Sequence, residues 1–285
     1  MVQLSEKQLI AAKKVYFAWD SPTLDDAIPI LEATRGLLFN VKINSLYIEE
    51  GDKAIEKIRS YGMNVFLDLK FYDIPGTVKN FAYAAAKKGV NMFTVHTHGG
   101  VSMMKAANDG VTEASEKYEL DNLPVIAGVT VLTSFNEKSY LETFKKAVPE
   151  LSNVVFDDYN RNTEEESISA FKGLISKLNL DNVIKNQVVH LAGLAAKANM
   201  GAVVCSPKEV GDIKKLYPSL LTVVPGIQGP VSGIAGSTQN MDRVATPSNA
   251  IKWGADYLVI GSAIHKAKDP KQAMLDIIND IAKVI

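Results

Sequence analysis

The chain has 285 residues, with 31 Lys and Arg against 32 Asp and Glu and a formal net charge of −1. That balance supplies no global field to gather nucleic acid or an anionic membrane surface, so a small anionic ligand must be held by local groups. The single cysteine, Cys205, excludes an intrachain disulfide and a Cys-rich metal site.

No apolar run reaches the roughly 18 residues needed to span a bilayer, and Met1–Lys14 lacks a stretch of signal-peptide length. A cytoplasmic protein folded as one domain over residues 1–285 is the expectation. The first apolar run, Val15–Asp20, ends on an acid suited to accepting hydrogen bonds from sugar hydroxyls, or to capping the loop at Ser21-Pro22. Thr23 with Asp26 resembles a capping box ahead of Ala27, Ile28, Ile30 and Leu31. The second run, Leu38–Ile43, carries Lys42 at its end, and Ser45 then precedes a helical pattern with Leu46, Ile48 and Ile55.

The third run, Val65–Phe71, holds the most informative residues. Asp68 and Lys70 lie two apart, so alternation points both to one side of a strand, and Asp73 follows on the loop. Thr77 is placed to cap the next helix, which carries Val78, Phe81, Ala82 and Ala85 and stops at Lys87-Lys88-Gly89. Lys42, Asp68, Lys70 and Asp73 can interleave as alternating charges. A lysine between two carboxylates offsets the repulsion that otherwise raises one carboxyl pKa. A structural ion-pair network at a strand end is the competing reading of the same residues.

The fourth run, Met92–His96, leads into His98; both rings can share a side, but tetrahedral zinc needs more ligands and the nearby carboxylates have lysines competing for them. The fifth, Val125–Leu132, is followed by Thr133 and Ser134. Residues 136–186 are too long for one crossover and read as a helical insertion, with Glu164–Glu166 as a solvated helix start and Gln187–Ala198 as the true crossover helix. Ala202–Cys205 is the sixth run, with Cys205 a buried strand residue rather than a nucleophile because no base can be assigned to it.

The seventh run, Leu221–Ile227, contains Pro225-Gly226 and meets Gln228. The eighth, Tyr257–Ile260, meets Gly261-Ser262. Glycine at both ends permits close backbone approach, as in the phosphate cradle after strands seven and eight of a barrel. Between these runs, the small-residue loop from Gly229 to Gln239 can act as a lid donating Gln239 or Gln228.

Eight short Val- and Ile-rich runs, mostly separated by room for a helix, point to a TIM-type (β/α)8 barrel with a helical insertion after the fifth strand; a doubly wound open sheet is the competing architecture. Asp20, Lys42, Asp68, Lys70, His96, His98, Thr133, Ser206, Gln228 and Ser262 all fall at or just past the carboxyl ends of runs. Only that end of a barrel gathers side chains from so many elements around one cavity. Neither GxGxxG nor GxxxxGK[ST] is present, which argues against dinucleotide and P-loop use.

These residues resemble the orotidine 5'-phosphate decarboxylase family. The resemblance rests on Phe17–Pro22, Asn40–Ile43, the complete DxKxxDIPxT motif from Asp68 to Thr77, Val95-His96, Val129–Ser134, Val204–Ser206, Pro225–Ile227, Arg243–Pro247 and the Gly261 region. It implies a homodimeric barrel that removes carbon dioxide from orotidine 5'-monophosphate without a cofactor or metal. Lys42, Asp68, Lys70 and Asp73 become the charged tetrad, with Asp73 and Thr77 crossing the dimer interface. Asp20 contacts ribose and Thr133 or Ser134 reads the pyrimidine, leaving Pro225, Gln228, Gln239, Gly261 and Ser262 around the remaining substrate.

The departures lie at the phosphate, where Gln228 and Ser262 stand in place of the family's usual arginines and Asn240-Met241 in place of its Asp-Gln; Arg243, Lys266 or a shifted lid is the available compensation. Two alternatives stay open: a metal-dependent phosphosugar aldolase or synthase on the same barrel, and a non-catalytic nucleotide-binding relative.

Overall fold

The computed structural model describes residues 3–21, 23–144, 182–229 and 245–285. Its strands are β1 (Val15–Trp19), β2 (Asn40–Ile43), β3 (Asn64–Phe71), β4 (Met92–His96), β5 (Val125–Val129), β6 (Ala202–Val204), β7 (Leu221–Val224) and β8 (Tyr257–Ile260). Each pairs in parallel with the next, and β8 pairs with β1, so the sheet closes into a barrel and the open-sheet alternative falls away. All eight strands coincide with the apolar runs of the sequence, because a strand buried on both faces has no room for polar alternation.

Two apolar layers hold the barrel. Inside it, Tyr16, Phe66, Met92, Ala127, Ala202, Val223 and Val259 pack together, with Tyr16 edge-on to Phe66 at 5.5 Å and to Tyr257 at 5.4 Å. Burial pushes the Tyr16 hydroxyl pKa up, with Tyr257 adding to the shift, so the ring is a neutral plug at the base of the barrel. Outside, the other strand face packs on helices through residues such as Phe17, Leu67, Phe93, Ile213 and Ile277. None of the described helices is long and apolar enough to cross a membrane.

The helix Pro75–Lys87 lies along Gly100–Tyr118, and their approach is set by Gly110, where a Cβ would fall on the Lys79 carbonyl. A closed barrel needs its first and last strands brought together, and the terminal helices Glu6–Lys13 and Pro270–Ala282 assist. Gln8 Nε2 donates to Asn279 Oδ1 at 2.8 Å.

Several local expectations are corrected. Thr77 is not a cap: Pro75 occupies the first helical position and Ile74 the N-cap, which puts Thr77 inside the first turn. Ser45 opens the next helix after β2, and Asn44 caps it, its side chain accepting from the Ser45 N–H at 2.6 Å. Thr23 precedes Leu24–Ala33 as expected, but its hydroxyl donates to Asp26 Oδ2 at 2.5 Å instead of accepting from the backbone. The crossover helix into β6 is Val183–Lys197, so it begins before Gln187 and inside the region expected to be inserted. Most of that region, with Glu164–Glu166, lies outside the described residues, as do Gln239, Asn240, Met241 and Arg243.

Candidate active site

The register explains how the charged groups meet. Lys42 on β2 lies opposite Ala18 on β1 and Phe66 on β3. Asp20, one residue past β1, and Asp68 on β3 each lie two residues beyond those partners, nearer the open end, and the lysine stem spans that distance. Lys42 Nζ consequently stands 3.1 Å from Asp20 Oδ1 and 3.2 Å from Asp68 Oδ2. Burial alone would depress the Lys42 ammonium, but the Asp68 and Asp20 carboxylates outweigh it and hold its pKa above the usual lysine range.

Lys70 completes the chain, with Nζ 3.0 Å from Asp68 Oδ2. One carboxylate oxygen is thereby shared by two ammonium groups, and the order Asp20, Lys42, Asp68, Lys70 alternates in charge. Side-chain exposure is 59% at Asp20, falls to 8% at Lys42 and 11% at Asp68, and rises again to 36% at Lys70. Lys42 is the buried anchor and Lys70 the end that a ligand can reach.

β3 is not regular where it carries this pair. Its register with β4 runs Leu67 to Phe93 and resumes at Phe71 to Val95, so Asp68, Leu69 and Lys70 face Thr94 alone. The surplus is taken up by Lys70, whose φ of 50° lies in the left-handed region that costs an L-residue about 1 kcal/mol. Thr94 is buried within the barrel, accepts the Lys70 N–H at 2.8 Å and donates its own hydroxyl to Asp68 Oδ1 at 3.0 Å. Simple alternation does put Asp68 and Lys70 on the cavity side, but through a bulged strand and not a flat one.

The cavity at this end of the barrel holds about 440 Å³ and is floored by Ala18, Phe66, Val223 and Val259. Asp20, Lys42, Asp68, Lys70, Thr133, Pro225, Gln228, Gly261 and Ser262 all line it, as the sequence predicts. Gly226 has a φ of 80°, and a side chain on Gly261 would crowd the Ala18 carbonyl at 3.3 Å, so both positions keep the backbone at the wall open. Asn44, His265 and Lys266 also line it. Asn44 was not among the residues singled out from the sequence; its Nδ2 lies 3.4 Å from Asp20 Oδ1. Lys266 forms no ion pair with any described residue, unlike Lys42 and Lys70.

Other expected residues are elsewhere. Asp73 is exposed and outside the cavity, its Oδ1 accepting the Ile74 N–H at 2.6 Å, and Thr77 is also outside it. Both follow the strand end, where the chain has already turned away from the barrel axis. Ser134 is exposed and Ser206 is buried against Glu209, so neither faces the cavity. Cys205 is buried one residue beyond β6, at the cavity wall.

His96 and His98 do lie together, rings 5.8 Å apart, but outside the cavity lining, and no metal-holding cluster of His, Cys, Asp and Glu occurs among the described residues. Burial lowers the His96 pKa to about 4, reinforced by His98 and Lys70 against the opposing pull of Asp68, so the ring is neutral at neutral pH.

A family model described as Orotidine 5'-phosphate decarboxylase / HUMPS family matches residues 13–173 and 167–277. The chain is 34% identical over 262 residues to an orotidine 5'-phosphate decarboxylase of Dichelobacter nodosus, covering 91% of this chain and 95% of that protein. It is 35% identical over 266 residues to one from Pseudomonas putida, covering 93% and 95%. The crystal structure of orotidine 5'-phosphate decarboxylase from Lactobacillus acidophilus superposes with a TM-score of 0.68 at 28% identity, covering 94% of this chain and 98% of that one.

Proposed function

The chain belongs to the orotidine 5'-phosphate decarboxylase / HUMPS family, and from that membership we propose how its charged array works on the substrate. The reaction is decarboxylation of orotidine 5'-monophosphate to uridine 5'-monophosphate, a carboxy-lyase step of pyrimidine biosynthesis. The observation that carries the residue assignment is the single Asp68 oxygen held between Lys42 and Lys70 at the reachable end of the cavity.

Asp68 sets a negative charge where the substrate carboxylate must sit, so loss of that carboxylate relieves repulsion. The bond from ring carbon to carboxylate breaks, carbon dioxide leaves, and the electron pair stays on the ring carbon. Lys70 stabilises that developing carbanion and then gives it a proton, forming the new C–H bond; its neutral amine recovers a proton from solvent. Lys42, locked by Asp20 and Asp68, fixes the Asp68 carboxylate in place. No cofactor or metal takes part in this scheme.

Asp20, whose side chain is mostly exposed, is assigned to the ribose hydroxyls, and Thr133 to the pyrimidine edge, with Pro225 beside the ring. The phosphate is assigned to the end of the cavity between Gly226, Gln228, Gly261 and Ser262, with Lys266 supplying the cation that the family usually draws from arginine. Held at a distance from the reacting carbon, it contributes binding energy to the strained ground state.

The fourth member of the tetrad, Asp73, is assigned to the other subunit of a homodimer, together with Thr77. Asp73 is directed out of its own cavity beside exposed Tyr72 and Ile74, a combination that suits a surface covered by a second copy.

The test mixes purified protein with orotidine 5'-monophosphate, with and without a chelator, and follows loss of the orotate chromophore. Chelator-insensitive loss is expected. Loss abolished by chelator favours the metal-dependent aldolase or synthase, and binding without turnover favours a non-catalytic relative.

A further inference from the structure

Thr94 is the single residue of β4 that faces the three-residue bulge carrying Asp68, Leu69 and Lys70. It is buried and lies outside the lining of the cavity, so it does not meet a bound ligand. Its hydroxyl is nevertheless bonded to both members of the reactive pair, at the Lys70 backbone N–H (2.8 Å) and at Asp68 Oδ1 (3.0 Å).

The directions of these bonds are fixed. A threonine hydroxyl has one proton and two lone pairs. Because the Lys70 N–H can only donate, the oxygen accepts there and its one proton goes to Asp68. Oδ1 is thereby occupied, which turns Oδ2 toward Lys42 and Lys70. The same oxygen gives the Lys70 N–H an acceptor that the interrupted ladder between β3 and β4 does not supply, at a residue with φ of 50°.

We propose that Thr94 is a positioning residue for the decarboxylation: one hydroxyl sets the Asp68 carboxylate rotamer and the left-handed Lys70 backbone together, and so fixes the separation of the two charged groups. This assignment rests on the roles given above to Asp68 and Lys70. Serine keeps both bonds, whereas valine keeps the shape and removes both.

The test compares Thr94→Val and Thr94→Ser with the wild type in steady-state turnover of orotidine 5'-monophosphate, in affinity for uridine 5'-monophosphate, and in crystal structures. Thr94→Val is expected to lower kcat by roughly 10²-fold, the scale of an ångström-sized misplacement, with Thr94→Ser within about threefold of wild type. Product affinity should change little in both, because the cavity wall is untouched. A Thr94→Val enzyme with near wild-type kcat, or a Thr94→Ser enzyme as impaired as Thr94→Val, overturns the assignment.

If Thr94→Val does not fold, Thr94→Ala takes its place with the same deciding outcomes. If the wild type itself shows no turnover, the decarboxylase reading fails separately, and the valine structure decides the rest. Lys70 Nζ withdrawn from Asp68 Oδ2 supports the positioning role, and an unmoved pair overturns it.

Discussion

Lys70 Nζ rests 3.0 Å from Asp68 Oδ2, and that oxygen is also held by Lys42 at 3.2 Å from the buried side. The two lysines are therefore unequal: removing Lys70 leaves Asp68 paired, whereas removing Lys42 leaves a mostly buried carboxylate without its anchor.

Lys70→Ala is expected to lower kcat for orotidine 5'-monophosphate by at least ~10³-fold, because it removes both the stabilising charge and the proton donor. Its chemical stability curve should stay within about 1 kcal/mol of wild type, since the lost pair is partly exposed. Absorbance loss of orotate and a urea titration measure the two. Retained turnover would sink the role of Lys70.

Asp73 can be tested by mixing. Lys70→Ala and Asp73→Ala enzymes, each inactive alone, should recover about a quarter of wild-type activity after subunit exchange, since half of randomly formed dimers contain one intact site. No recovery, with exchange verified by mass, would place Asp73 in its own chain's site or outside the chemistry.

For the phosphate, Lys266→Ala is expected to raise KM for orotidine 5'-monophosphate roughly tenfold or more, the scale of a charge-assisted hydrogen bond. Orotidine lacking the phosphate is the control. Wild type and Lys266→Ala should process it equally poorly, and a difference there would mean that Lys266 acts on another part of the substrate.

Acid should weaken the fold through His96. Its pKa is about 4 in the folded protein, against an ordinary value near 6.5. Between those limits the unfolded chain binds the extra proton, so stability is full above pH 6.5 and falls as pH drops toward 4. His98, also depressed by burial, adds to the same slope. Urea midpoints at pH 7 and 4.5 should therefore differ less for His96→Gln than for wild type.

Gly110→Ala should destabilise by about 1–3 kcal/mol, the usual cost of forcing extra volume into a packed contact. The new methyl would meet the Lys79 carbonyl, a backbone atom that moves only with its helix. Thermal unfolding measures it, and a neutral effect would mean that the two helices part easily.

The strands, the closing of the barrel and most cavity residues were legible in the sequence because they depend on two simple patterns: apolar runs of strand length, and polar residues at their carboxyl ends. Thr94 was not, since threonine inside an apolar run reads as an ordinary β-former. Its meaning comes from a register shift that no local pattern records. Asp73 and Thr77 were correctly read as separate from the strand, but their distance from their own cavity depends on where the chain turns after Phe71. The cap was misassigned at Thr77 because Pro75, with its fixed φ, takes the first helical position two residues earlier and leaves Ile74 as the N-cap.

The bulge in β3 frees the spacing of the two reacting charges from the ladder that sets the rest of the barrel. Around the rest of the wall, displacing a residue strains the ladder on both sides, but Asp68 through Lys70 are spared the regular pairing with β4. The distance between the two reacting charges therefore answers to Thr94 and not to the sheet, so a substitution elsewhere on β4 that keeps the barrel closed should leave it unchanged.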